Sequence, residues 1–205
     1  GGYIPGRYGD IYYFAAAGSD FNKAYQLAQT ASDAGEPVII AGYSWGASSA
    51  LALAEKLDVG EMLGVEIDKR TLEARRIYEN THTPVDLLVL IDLEDRFRWI
   101  AQPYTQASSP PNKVPNNVRS AVNLWAGNPD SAEWLWANGQ NEVKNAVNLE
   151  VDLASHYTII DVNDTRTIMN GKNANKPNTE LNSQTLAKFS AAVQATMKSR
   201  PSGRK

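Results

Sequence analysis

Five residues, Gly42-Tyr43-Ser44-Trp45-Gly46, carry the strongest chemical signal in this chain of 205 residues. Glycines two places either side of a serine let the backbone turn sharply from strand to helix, which lifts the hydroxyl clear of a sheet and presents it as a nucleophile. The surroundings fit that mechanism. Residues 37–41 (Pro-Val-Ile-Ile-Ala) have the unbroken apolar character of a strand buried on both faces of a parallel sheet. Residues 45–57 are rich in alanine and leucine, which favour helix.

A serine hydroxyl is a weak nucleophile at neutral pH, so a base must stand within hydrogen-bond reach. The chain has 2 histidines from which to supply it. His82 lies just ahead of the apolar run 85–91, which puts it at the end of the sheet away from the serine turn if that run is parallel to residues 37–41. Catalytic groups collect instead at the carboxyl ends of such strands. His156 follows a later strand and a long excursion, in a position to swing back over those carboxyl ends, and is the expected general acid and base. A carboxylate must then orient the imidazole and stabilise its protonated form. Asp92 closes the run 85–91 and is the first candidate; Asp95 lies one turn beyond, and Asp68 is a rival if residues 64–67 are a strand.

These side chains need a scaffold, and the chain alternates strand and helix signals. Residues 11–14 are β-branched and aromatic, and residues 21–34 place Phe21, Ala24, Tyr25, Ala28 and Ala31 at helical spacing. After the strand and helix around Ser44, residues 60–68 are ambiguous between weak strand and loop, and residues 70–78 read as a charged amphipathic helix. The whole of 59–80 is a candidate insertion. Val85-Asp-Leu-Leu-Val-Leu-Ile91 is the strongest strand, introduced by Thr83-Pro84, which disfavours helix just before it, and is expected at the centre of the sheet. Residues 103–117 contain four prolines and read as an ordered loop or lid. Residues 118–125 give another strand, and residues 181–198 a last helix with Leu186, Phe189, Val193 and Met197 on one face. Such alternation implies βαβ units. The expected architecture is a single α/β domain over residues 1–205, a three-layer sandwich with a mainly parallel sheet flanked by helices.

The order Ser44, Asp92, His156 resembles the α/β-hydrolase superfamily, in which an elbow serine is followed by an acid and then a histidine. Residues 38–47, 85–92 and 114–125 look like those of small bacterial lipases, esterases and thioesterases, and the resemblance covers roughly residues 10–160. It implies acyl transfer to Ser44 and then to water, with the backbone N–H of Trp45 in the oxyanion hole. The Trp45 side chain is read as a packing element. Family members carry further strands and a glycine-rich oxyanion loop well before the elbow, whereas about forty residues precede Ser44 here. The amino-terminal strands are therefore expected to be shortened, and the second oxyanion donor lies in Gly1-Gly2-Tyr3 or at Gly6, or is missing from the chain. Tyr43, Trp125, Trp134 and Trp136 are the expected substrate-contacting residues, and large apolar groups there would favour an acyl or aryl substituent.

Composition narrows the alternatives. A net charge of −3 lacks the basic footprint of a nucleic-acid binder. The absence of cysteine excludes disulfides, thiolate metal sites and thiol nucleophiles, and leaves the compartment open. Two histidines and scattered carboxylates show none of the close spacings zinc uses, and no phosphate-loop or dinucleotide motif occurs, so no cofactor is expected. The longest apolar run is far short of the ~20 residues of a membrane span. The first residue is glycine, as in a processed form, a tag-cleaved chain or part of something longer. Asn163-Asp-Thr165 matches a glycosylation pattern, and residues 198–205 read as a solvated basic tail. Two rivals to hydrolysis remain at this stage: a hydrolase-like fold used as a binding module, and acyl transfer to an acceptor other than water.

Overall fold

The computed structural model describes residues 2–4, 11–14, 20–93, 113–127 and 141–151, together with single positions 154, 156, 159, 187, 188, 190, 191, 194 and 195. In chain order the elements are β1 (Gly2–Ile4), β2 (Ile11–Tyr13), α1 (Asp20–Asp33), β3 (Ile39–Tyr43), α2 (Trp45–Val59), β4 (Met62–Ile67), β5 (Ala74–Tyr78), β6 (Leu87–Ile91), β7 (Ala121–Ala126) and β8 (Val147–Val151). Strands β3, β6, β7 and β8 form a parallel sheet in that spatial order. The chain is thus of α/β type, with a mainly parallel sheet.

Alternation along β6 decides the layering. Leu88 and Leu90 face α1 and α2 and pack with Phe21, Tyr25, Leu51 and Leu57. Leu87 and Val89 face the other way and pack with Val122, Leu124, Val151 and Ile159. Leu87, Leu88, Val89 and Leu90 are fully buried, as an interior strand of a parallel sheet requires. Each such side chain contributes about 1.5–3 kcal/mol by leaving water. Ala47, Ala50 and Ala54, also buried, let α2 lie close to β3 and β6. Gly60 stops α2: at φ 77° it takes the left-handed conformation that β-carbons resist, and its N–H caps the Lys56 carbonyl at 2.8 Å.

The structure revises three expectations. Residues 37–41 were expected to be buried on both faces, but among the described residues β3 stands at the edge of the sheet, and Ile39 is 51% exposed on the face opposite α2. Strand β2 does not join the parallel sheet; it pairs antiparallel with β1, a strand the sequence reading missed. Residues 70–78 are not a helix. They complete an antiparallel hairpin in which β4 pairs with β5, setting Glu66 opposite Arg75 and Ile67 opposite Ala74. The turn explains the outcome: the Asp68 carboxylate accepts the N–H of Arg70 at 2.7 Å and of Thr71 at 3.3 Å, and Leu72 sits at φ 60°, where a helix cannot continue. Those backbone N–H groups, Arg70 first, hold the Asp68 carboxyl below the usual carboxylate range.

Two further segments bear on the sheet. Strand β8, also unforeseen, pairs with β7 in a register that sets Asn148 opposite Asn123, and the two side chains are hydrogen-bonded at 3.0 Å. Of the stretch read as a lid, residues 113–117 are strapped to the amino-terminal ends of the strands: Val114 N–H donates to Lys144 O, and Asn117 O accepts from Val85 N–H. Residues 103–112 lie outside the described set, as do the apolar-face residues of the last expected helix. Among the described residues no helix is long and apolar enough to cross a membrane.

Asp86, the one charge inside the apolar run 85–91, fastens the amino-terminal side of the sheet. Its carboxylate accepts the buried Val38 N–H at 3.0 Å and Arg119 Nη1 at 3.0 Å, linking the segments that enter β3, β6 and β7. Asp86→Ala removes the side-chain acceptor from Val38 and leaves Arg119, which is partly exposed, to water. The expected loss is about 2–3 kcal/mol in urea unfolding, most of it from the buried amide. Arg119→Ala should cost less, because the carboxylate keeps its bond to Val38.

Candidate active site

Strands β3 and β6 end side by side. The last pair in their register is Tyr43 with Ile91, so the next residues on the two strands are Ser44 and Asp92. A hydrogen bond from Ser44 N–H to Ile91 O, 2.9 Å, continues the ladder past the strand end. Asp92 N–H in turn donates to Leu124 O on β7 at 2.7 Å. Ser44 and Asp92 therefore rise from adjacent strands at the carboxyl edge of the sheet.

Ser44 has φ 56° and ψ −122°, a backbone conformation rarely adopted outside glycine. Holding it costs on the order of 1–3 kcal/mol, which surrounding packing must offset. The turn is closed by Ala47 N–H on Ser44 O at 3.0 Å, and α2 begins at Trp45. The Trp45 amide thus belongs to the first turn of a helix, where amides point outward along the positive end of the helix dipole. Trp45 as a whole is 42% exposed.

Asp92 is completely buried and lies at φ 48°. Its two carboxylate oxygens have separate tasks: Oδ1 accepts the Ala126 N–H from the end of β7 at 3.0 Å, and Oδ2 faces His156 Nδ1 at 2.5 Å. The first bond holds the carboxylate in place; the second anchors the imidazole at Nδ1. His156 is 5% exposed. It arrives from β8, and the loop that carries it is pinned on either side by Ala154 and Ile159, both buried against Leu87, Val122, Leu124 and Val151. Ala154 N–H also bonds the carbonyl oxygen of Val151, the last residue of β8, at 2.9 Å.

The other sequence candidates stand elsewhere. His82 is at the far end of the sheet, with its ring 69% exposed and Nδ1 2.8 Å from Asp58 Oδ1 at the foot of α2. Asp68 caps the β4–β5 turn. Trp125 is half-buried at the carboxyl end of β7, next to the residue whose amide holds Asp92. Asp95, Trp134, Trp136, Gly1 and Gly6 lie outside the described residues. Tyr43, expected at the substrate, turns its side chain to His156: the hydroxyl donates to the His156 carbonyl oxygen at 2.7 Å, and the two rings stack at 5.1 Å between centroids. No pattern in the sequence pointed to this contact. The Ala126 amide was likewise missed, since a backbone donor has no signature in residue type.

A buried carboxylate holds one imidazole nitrogen at the sheet edge where Ser44 occupies a strained strand-to-helix turn, and a set of side chains of this kind can generate a serine nucleophile and stabilise an imidazolium. Comparison of the chain with protein-family models, with curated proteins and with solved structures gave no match.

Proposed function

We propose that this chain is a serine hydrolase of the α/β-hydrolase type, cleaving a carboxylic ester or thioester through an acyl-enzyme on Ser44. The observation that carries the reading is the buried Asp92–His156 pair at the same sheet edge as the Ser44 elbow. With Nδ1–H directed to Asp92, Nε2 is the nitrogen left to accept the Ser44 proton. Ser44 Oγ attacks the substrate carbonyl carbon, and the proton passes to Nε2. The carbonyl oxygen becomes an oxyanion, which the Trp45 N–H at the start of α2 stabilises. As the tetrahedral intermediate collapses, the bond to the leaving oxygen or sulfur breaks and His156 returns its proton to that atom. Water then repeats the sequence on the acyl-serine and releases the acid. Asp92 stays ionised throughout and offsets the imidazolium charge. Trp125 at the end of β7 supplies apolar surface suited to an acyl or aryl group.

The test is the intact mass of the folded chain after treatment with a fluorophosphonate. One adduct is expected on the native protein and none on Ser44→Ala or His156→Ala, whereas His82→Ala should be labelled like the native chain. A well-folded native chain that takes no adduct would reject the serine-hydrolase reading in favour of a binding module. Where labelling succeeds, product analysis with added alcohols or amines separates hydrolysis from acyl transfer to another acceptor.

A further inference from the structure

Tyr43 is the last residue of β3 and is joined by one peptide bond to Ser44. Its side chain makes two different contacts with a single residue 113 positions away, a hydroxyl bond to the His156 main chain and a ring stack on the His156 imidazole, with 30° between the planes. The first contact sets where the loop backbone sits above the sheet. The second limits how far the imidazole can tilt. Asp92 controls Nδ1 but does not by itself fix the ring plane, because a single hydrogen bond leaves the ring free to rock about it. Ala154 and Ile159 anchor the chain on either side of His156 by burial in the apolar cluster. The stack bears on the ring plane itself.

From these contacts the geometry points to Tyr43 as a positioning residue that registers the base against the nucleophile. Ser44 is fixed to Tyr43 covalently and His156 is fixed to it by bond and stack, so both reacting groups take their position from the end of one strand. The catalytic consequence rests on the serine-hydrolase reading above; the restraint on His156 does not. Because the hydroxyl is engaged by a main-chain carbonyl and the ring by the imidazole, Tyr43→Phe separates the two contributions: it deletes the tie to the carbonyl and preserves the stack. Tyr43→Leu deletes both.

Two readouts on the full chain test the role: the rate of Ser44 phosphonylation by a fluorophosphonate, and the low-field proton resonance of the His156 Nδ1–H shared with Asp92. Phosphonylation should slow about 5-fold in Tyr43→Phe, the effect of one lost hydrogen bond, and about 30-fold or more in Tyr43→Leu, where a stacked ring is lost as well. The resonance should persist in Tyr43→Phe and broaden or vanish in Tyr43→Leu, with the far-ultraviolet circular dichroism unchanged. A Tyr43→Leu chain labelled within about twofold of native and keeping a sharp resonance overturns the positioning role. Should Tyr43→Leu fail to fold, Tyr43→Phe decides, and labelling within about 1.5-fold of native overturns the tie to the carbonyl. If the native chain takes no phosphonate, the hydrolase reading alone is rejected; the resonance then judges the restraint, its loss in Tyr43→Leu supporting it and its persistence overturning it.

Discussion

Asp92→Asn is expected to lower turnover of an activated ester by about 10⁴-fold while leaving the chain folded, the scale of loss produced when a triad carboxylate is made neutral. The reason lies in the two partners of the carboxylate. Both are donors: Ala126 N–H on Oδ1 and His156 Nδ1–H on Oδ2. An asparagine has one acceptor and one donor to offer. If its carbonyl keeps the Ala126 amide, a backbone group held at the end of β7 by the β7–β8 pairing, its NH₂ must face His156. The imidazole then accepts at Nδ1 and carries its proton on Nε2, where it can no longer take a proton from Ser44. If the amide flips, His156 is satisfied, but NH₂ meets the Ala126 N–H and two donors oppose each other in a fully buried site, at a cost of about 1–3 kcal/mol. The first orientation therefore prevails, and the imidazole is trapped in the wrong tautomer. Near-native size keeps the core packed, so thermal unfolding should shift far less than turnover does. The measurement is kcat on a nitrophenyl ester beside the unfolding midpoint. Activity within tenfold of native in a folded Asp92→Asn chain would remove Asp92 from the role and send the search to Asp95.

The legibility of this site in the sequence depended on how far apart in the chain each interaction reaches. The elbow was readable because its determinants are local: a glycine, a serine and a glycine between an apolar run and an alanine-rich one. Asp92 was readable because the run it terminates is apolar enough to be placed in the sheet without knowing its neighbours. His156 was reached by elimination, from a choice of two histidines and the rule that working groups gather at the carboxyl ends of parallel strands. What brings it to Asp92 is the β8 strand, and β8 passed unnoticed although Val147, Leu149 and Val151 alternate with Asn148 and Glu150 in the two-residue period of a half-buried strand. The contact between Tyr43 and His156 joins residues with no shared pattern, and nothing short of the fold could disclose it.

The misread segments fail for a related reason. Residues 70–78 carry both charges and apolar residues at intervals that suit a helix, and the competing signal is a single aspartate whose side chain closes a turn at 68–72. One local hydrogen-bonding residue outweighed a periodic pattern because cross-strand pairing with β4 was available to the chain that followed it. Residues 37–41 show the converse. Their apolar run correctly marked a strand of the parallel sheet, but an apolar run does not say which strands flank it, and among the described residues β3 has a neighbour on one side in the sheet. Burial on both faces requires covering layers that lie outside the segment's own sequence.

The two glycines of the elbow should respond to alanine in opposite ways, although a motif treats them alike. A β-carbon on Gly42 would fall on the Gly46 carbonyl group and 2.6 Å from Ala47 N. Neither neighbour can move independently, because the Ala47 amide closes the turn on Ser44 O and both belong to the first turn of α2. Relief would require α2 to lift from β3 and β6, against which Ala47, Ala50, Leu51 and Ala54 are buried. Gly42→Ala should therefore be destabilised by more than about 4 kcal/mol, in the range reserved for overpacked cores, and should lose phosphonylation entirely. A β-carbon on Gly46 meets nothing within 4 Å. Because Gly46 is a helical residue, alanine there removes backbone freedom from the unfolded chain and should raise stability by up to about 1 kcal/mol. Urea unfolding of the two variants beside the native chain checks the contrast. A stable Gly42→Ala chain that is still phosphonylated would mean that the turn closes less tightly than this backbone requires, and that the strained geometry of Ser44 is not what presents the nucleophile.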